Sequence, residues 1–132
     1  NLNKSMFPWL DLQMLLLGAK LEAFEAGTAE LSLEIREDLK QNNGFAHGGV
    51  VSYLADNCIT FAGASVLGRC VTSEYKVNYV RPAIGDRLIA RSTVLSSGKR
   101  QATCECKVYG LADGEEKLVA VSLETIVKIE AS

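Results

Sequence analysis

The sequence predicts a single α+β domain in which an antiparallel sheet wraps or covers one long helix. Its 132 residues suit one domain with one core, and 48% hydrophobic and 23% charged residues are an ordinary globular composition. Residues 48–67 contain no proline and carry apolar side chains at helical spacing. The chain after Gly68 is rich in β-branched residues interrupted by turn residues, which indicates consecutive strands. We find no linker and no internal repeat, so residues 1–132 are predicted to form one domain.

The first forty residues predict a short helix followed by a β-hairpin. Apolar residues at helical spacing predict the helix over Phe7–Leu17, which would end at Gly18. A strand over Ala19–Glu25 then reaches a turn at Ala26-Gly27, and alternation over residues 30–35 predicts a half-buried second strand. The later strands are predicted at Val71–Val80, Leu88–Ser96, Gln101–Tyr109 and Lys117–Ile129. Five or six strands therefore surround the long helix.

The long helix, predicted from Gly48 to Leu67, carries two different faces. One face is apolar and is expected to lie on the sheet: Val50, Leu54, Cys58 and Phe61. The other face is small or polar: Gly49, Ser52, Asp56, Thr60 and Gly63. Small residues in such a stripe can simply allow close packing. An ionised Asp56 inside an apolar helix is costly unless it is paired or hydrogen-bonded, so it either orders the helix locally or has a function.

Charge and cysteine content limit the partners and the compartment. Fourteen basic and sixteen acidic residues give a net charge of -2 and a pI near 5.4, so we expect no nucleic-acid partner. The four cysteines lack Cys-x-x-Cys spacing and the density of a secreted disulfide scaffold, which favours the reducing cytoplasm. Because we find no uninterrupted apolar stretch of membrane-spanning length, we expect a soluble protein with no membrane partner.

His47-Gly48-Gly49 marks the predicted start of the long helix. Backbone N–H groups in the first turn of a helix lack intrahelical partners and carry the positive end of the helix dipole, so they can polarise a carbonyl group. Alternatively, the glycines serve a tight turn and His47 satisfies backbone groups in the core. For His47 itself we favour this structural interpretation.

The spacing between Gly48 and Asp56 predicts a dimer. Eight residues of helix separate them by about 12 Å at about 1.5 Å per residue. A general base must come within about 3 Å of the water that it activates. One chain therefore cannot bring both groups to one substrate, and we predict two equivalent composite sites, each with Gly48 from one subunit and Asp56 from the other.

Several spaced motifs together resemble one known family. These motifs are Gly44-Phe45-Ala46-His47-Gly48-Gly49, Leu54-Ala55-Asp56, Tyr79-Val80-Arg81-Pro82 and Gly85-Asp86. In combination they resemble hotdog-fold acyl-CoA thioesterases, most closely the phenylacetate-pathway (PaaI-like) group, over roughly residues 15–129. The resemblance implies a curved antiparallel sheet wrapped around the long helix, and two subunits that pair their sheets around an acyl thioester. A homotetramer is also compatible with it.

The resemblance implies roles for individual residues. Asp56 would be the base or nucleophile, and the Gly48 amide would polarise the thioester carbonyl. The further residues expected to contact the substrate are His47, Gly49 and Arg81. A surface cation such as Arg81 would meet the coenzyme A phosphates if it is not simply a solvated charge.

Two further assignments each have an alternative one or two residues away. Gln41, or else Asn43, would hold the substrate carbonyl or the water. Thr72, or else Ser73, would orient the water, although Thr72 could equally be an ordinary strand threonine. The uncertainty arises because similar polar residues are adjacent in the sequence.

The chemistry implied by this resemblance needs no metal and no separate cofactor. A thioester carbonyl is a good electrophile and a thiolate a good leaving group, so a carboxylate and an amide can suffice. His47 and the scattered cysteines form no recognised metal-ligand set, and Cys104 and Cys106 are expected to pack in the core from one strand face. Acyl preference depends on how residues such as Tyr53 and Phe61 shape the pocket.

Two other functions use the same fold. A non-catalytic acyl-CoA-binding module would bind the ligand without turnover. A hydroxyacyl-thioester dehydratase needs a histidine and a carboxylate that converge on the carbon chain, and His47 followed by two glycines does not fit that pattern.

Overall fold

The structure, a computed structural model, describes Leu2 and residues 18–40 and 48–129. In this part of the chain, six antiparallel strands form one curved sheet and a long helix packs against it. The predicted α+β architecture, a sheet curved around one long helix, is confirmed. The helix predicted over Phe7–Leu17 lies outside the described residues.

The elements agree closely with the predicted ones. Their bounds are Lys20–Glu25 (β1), Thr28–Glu34 (β2), Gly48–Leu67 (α1), Cys70–Tyr79 (β3), Arg87–Ser97 (β4), Gln101–Ala112 (β5) and Glu115–Lys128 (β6), with one 3-10 turn at Glu37–Leu39. The bounds of α1 are those predicted, because its sequence contains no proline and its neighbour Gly68 has a φ of 79°. Each strand end lies within three residues of its predicted position.

The strand order across the sheet is β1-β2-β4-β5-β6-β3. The chain leaves β2 in one half of the sheet, and α1 carries it to β3 at the opposite edge. In doing so α1 contacts all six strands. Among the described residues β3 pairs only with β6, from Cys70 opposite Lys128 to Tyr79 opposite Ala120. Its second edge has no partner strand within residues 18–40 and 48–129.

The core lies between α1 and the inner face of the sheet. Its large, fully buried side chains include Leu31, Leu33, Leu54, Phe61, Leu88, Val108 and Ile126. In the predicted apolar face of α1, Val50 is only half-buried, and the neighbouring Val51 is buried instead. By length and composition α1 could cross a membrane, but most of it is buried inside the domain, so it is the core helix.

Phe61 belongs to this core. It is fully buried and packs edge to face on Phe24, with the ring centroids 5.3 Å apart. The expectation that Phe61 shapes an acyl pocket is therefore wrong, because the side chain has no surface left for a ligand. Tyr53, by contrast, lies on the exposed side of α1.

The small and polar face of α1 is packed against other residues toward the C-terminus of the helix and is less buried toward its start. A Cβ at Gly63 would lie 3.1 Å from Ile126 Cγ2, so glycine permits the close approach of α1 to β6. Thr60 donates a hydrogen bond to the backbone oxygen of Asp56 at 2.8 Å. Ser52 and Asp56, nearer the start of the helix, are only half-buried. Close packing thus explains why small residues occupy the C-terminal part of this face, but it does not explain the presence of Asp56.

All four cysteines are free and buried. Cys104 and Cys106 both point inward from β5 and are fully buried, as predicted for core packing. Cys58 on α1 lies 3.3 Å from the backbone oxygens of Ala29 and Ala90.

Candidate active site

Asp56 and Thr72 meet where α1 passes beside the edge strand β3. The Thr72 hydroxyl donates a hydrogen bond to Asp56 Oδ1 at 2.7 Å. The register of β3 against β6 shifts between Thr72 and Glu74, so Ser73 is the extra residue of a β-bulge. Bulges change the direction of neighbouring side chains and are frequent next to active sites. This bulge interrupts the alternation of β3 directly after Thr72.

The bulge separates the two alternatives that the sequence left open. Ser73 is exposed, and its hydroxyl donates to the backbone oxygen of Thr125 at 3.4 Å. The structure therefore brings Thr72, and not Ser73, to Asp56.

A second carboxyl group, Glu124 on β6, lies beneath this pair. It is 1% exposed, and its Oε1 is 3.5 Å from the Thr72 hydroxyl oxygen. Burial, reinforced by the Asp56 carboxylate, raises the pKa of Glu124 to about 9, although Thr72 and Ser122 oppose the shift. Burial and the neighbouring Asp56 thus both favour the protonated form of Glu124.

Sequence reasoning missed Glu124, although the sequence contained a signal. The inward positions of β6 alternate as Ala120, Ser122, Glu124 and Ile126, and all four are buried. A carboxyl group on the buried side of a strand is as unusual as one inside an apolar helix. The same criterion that selected Asp56 would have selected Glu124.

Asp56 faces an open pocket of about 330 Å³ beside β3. The pocket is lined by Asp56, Thr60, Arg69, Cys70, Val71, Thr72 and Ile129. Arg69 is exposed and is the one cation in this lining. It was also missed from the sequence, because a lone arginine after a helix-ending glycine belongs to no motif.

The cysteine in this pocket is not a nucleophile. Burial raises the pKa of the Cys70 thiol to about 12, and the nearby Cys104 and Asp56 contribute to this shift. A thiol must ionise to attack a carbonyl, so Cys70 is inert at neutral pH. Asp56 is left as the ionisable group of the pocket that can accept a proton or attack.

Gly48 begins α1, next to Tyr79 of β3. The Tyr79 hydroxyl donates to the Gly48 backbone oxygen at 3.0 Å, and a Cβ at Gly48 would make only ordinary contacts, 3.7 Å from the tyrosine ring. Among the described residues, therefore, packing does not require a glycine here. The following Gly49 is exposed. A glycine that packing does not require is consistent with close approach of a ligand to the backbone.

Arg81 is the remaining described residue of the predicted site. Gln41, Asn43 and His47 lie outside the described residues. Arg81 is exposed in the loop after β3, where its backbone N–H donates to Val119 O at 3.4 Å, and it does not line the Asp56 pocket. In the described ranges, 18–40 and 48–129, no three His, Cys, Asp or Glu side chains are grouped to hold a metal ion.

Comparisons with known proteins identify the class. The fold is that of the hotdog thioesterases. A crystal structure of a thioesterase family protein from Silicibacter pomeroyi is 29% identical, covers 94% of this chain and 95% of its own, and superposes with a TM-score of 0.89. A variant of the phenylacetic acid degradation protein PaaI from Thermus thermophilus is 31% identical, with 88% and 97% coverage and a TM-score of 0.77.

Sequence comparison agrees with the structural likeness. A Saccharolobus solfataricus protein named "putative esterase" is 28% identical over 138 residues, which are 95% of this chain and 90% of that protein. The model of the thioesterase superfamily matches residues 43–117. The chain belongs to the thioesterase superfamily, and the resemblance read from the sequence is confirmed.

Proposed function

We propose that this protein hydrolyses an acyl-CoA, or a related acyl thioester, to the free acid and the thiol. The observation that carries the proposal is the Asp56 carboxylate, which a 2.7 Å hydrogen bond from Thr72 holds at the wall of an open pocket. Membership of the thioesterase superfamily supports the same reaction class. Coenzyme A as the thiol follows from the resemblance to acyl-CoA thioesterases.

In this proposal Asp56 acts as general base or as nucleophile. As a base it takes a proton from water while the water oxygen bonds to the carbonyl carbon, and the carbon–sulfur bond then breaks to release the thiolate. The Gly48 N–H stabilises the oxyanion that forms, and Thr72 orients the carboxylate or the water. A thioester is reactive enough that these groups suffice without a metal or a separate cofactor.

The proposed site is complete only in a homodimer. Gly48 and Asp56 are about 12 Å apart along α1, and the open edge of β3 next to Asp56 offers unpaired backbone groups to a second sheet. That edge also exposes the large apolar side chains of Val71, Tyr75 and Tyr79. Pairing of β3 with its two-fold mate would cover them and bring Gly48 of one subunit toward Asp56 of the other. A homotetramer of such dimers fits the same scheme.

Cations near the pocket are proposed to receive the charged part of the substrate. Arg69 at the pocket and Arg81 after β3 are both exposed and can meet phosphate groups without losing a buried partner. Gln41, Asn43, Ser73, His47 and Gly49 remain proposed contacts on the resemblance alone. We place the protein in the cytoplasm, where four free buried thiols stay reduced.

The test is thiol release from a panel of short, medium, long and aromatic acyl-CoAs. Asp56→Asn keeps the shape of the side chain but removes the base and nucleophile, so we expect release to fall by at least about 100-fold. Asp113→Asn, at an exposed turn whose φ of 52° asparagine tolerates, is the matched control and should match the parent.

Three outcomes would contradict the proposal. Equal thiol release by Asp56→Asn and the parent would remove Asp56 from the chemistry. Tight binding of acyl-CoA by the parent, with no thiol released, would indicate a non-catalytic binding module. Formation of an enoyl product from a hydroxyacyl-CoA, again without free thiol, would indicate a dehydratase.

A further inference from the structure

We infer that Glu124 is a positioning residue of this site, which stays protonated and, together with Thr72, holds the Asp56 carboxyl group toward the pocket. The inference rests on the proposed function and deepens it, because it adds a second carboxyl group that the family resemblance did not supply. Glu124 does not line the pocket, so it acts through Asp56 and not on the substrate.

The first support is the number of protons available to the three side chains. A threonine hydroxyl has one proton to donate and two lone pairs to accept with. Thr72 donates its proton to Asp56 Oδ1 at 2.7 Å, while its oxygen lies 3.5 Å from Glu124 Oε1. Thr72 therefore cannot donate to both carboxylates at once. A protonated Glu124 removes this conflict, because it can donate to Thr72 while Thr72 donates to Asp56.

The second support is the surroundings of Glu124. The groups that face it are Asp56 from α1, Thr72 and Tyr75 from β3, Cys104 and Cys106 from β5, and Ser122 from its own strand. All are acidic or neutral, and none of the ion pairs between described residues includes Glu124. Its Oε2 is buried without a hydrogen-bond partner among the described residues. An ionised Glu124 would be a second uncompensated negative charge beside Asp56.

This arrangement assigns the protonation state of Glu124. Near neutral pH the buried Glu124 keeps its proton, while the half-buried Asp56 faces the pocket. At a pH near 9 Glu124 loses its proton, and the single hydroxyl proton of Thr72 then faces two carboxylates. We therefore expect thiol release to decline on the alkaline side because Asp56 is no longer held in place.

The experiment compares the pH profiles of kcat for the parent, Glu124→Gln and Glu124→Ala, with non-enzymatic hydrolysis subtracted. Glutamine cannot ionise but can still donate to Thr72, so we expect near-parental kcat at about pH 7 and no decline near pH 9. Alanine leaves Thr72 without its donor, so we expect kcat to fall about tenfold with little change in KM. Glu115→Gln, at an exposed position at the start of β6 and outside the pairing with β3, is the control and should keep the parental profile.

Carbon-13 NMR of the glutamate carboxyl groups separates this inference from the proposed function. The Glu124 signal, assigned by its loss in Glu124→Gln, should titrate well above the other glutamates even if no thioester is hydrolysed. Titration in the ordinary glutamate range would overturn the inference, and so would an unchanged alkaline decline in Glu124→Gln. Absence of thiol release by the parent, with the high titration intact, would contradict the proposed function instead.

Discussion

Replacing Glu124 by glutamine should change how the free energy of unfolding depends on pH. The pKa of this carboxyl is about 9 in the folded protein, against an ordinary value of 4.5. Between these two values the native state holds one proton more than the unfolded state. The stability that Glu124 contributes is therefore fully present below about pH 4.5 and is lost as the pH rises toward 9. Glu124→Gln has no such proton and should not show this loss.

The size of the effect follows from proton linkage. One extra bound proton changes the free energy of unfolding by at most about 1.4 kcal/mol per pH unit. Across two pH units, from about 5.5 to about 7.5, the stability of Glu124→Gln relative to the parent should rise by about 2 to 3 kcal/mol. This change between two pH values is independent of any constant packing difference between glutamate and glutamine.

Urea unfolding followed by circular dichroism measures this difference. The parent, Glu124→Gln and the exposed control Glu115→Gln are compared at one protein concentration, since the proposed dimerisation would make stability depend on concentration. The control should follow the parent at every pH. Parallel pH dependence of the parent and Glu124→Gln would show that Glu124 ionises normally in the folded protein and would refute the reasoning.

Two further predictions test the proposed site. Thr72→Val should lower kcat about tenfold while Thr72→Ser retains it, because the hydroxyl donates the 2.7 Å hydrogen bond that holds Asp56; equal rates for both variants would contradict this. Gly48→Pro removes the N–H at the first helical position, where proline fits the backbone, and should be inactive like Asp56→Asn. An equal mixture of these two inactive variants, refolded together, should recover about a quarter of the parental activity, because half of the dimers would carry one intact composite site. If each site were contained within one chain, the mixture would recover no activity.

Local sequence patterns were sufficient to predict the secondary structure and to select Asp56, one of the two carboxyl groups of the site. The 20-residue helix was predictable because Gly48 to Leu67 lacks proline and is followed by a glycine that favours positive φ. The strands were predictable because their β-branched residues are separated by glycine-containing turns. Asp56 stood out because a carboxyl group inside an apolar helix is costly whatever the surrounding fold.

Other features depended on contacts between elements that are distant in the sequence. The choice between Thr72 and Ser73 depends on a bulge in β3, which is defined only by its pairing with β6. Val51 replaces Val50 in the core because the direction in which α1 crosses the sheet sets which residues are covered. Phe61 lies in the core and not at a pocket because it meets Phe24 from β1.

The sequence by itself determined the fold class, the helix and strands, the resemblance to the thioesterases and the choice of Asp56. Only the tertiary structure showed that Asp56 shares Thr72 with Glu124, since the three side chains come from α1, β3 and β6. The physical reason is that secondary structure follows from local backbone and side-chain preferences. The ionisation state of a carboxyl group depends on burial and on neighbouring charges, and here the chain brings these together across 68 residues, from Asp56 to Glu124.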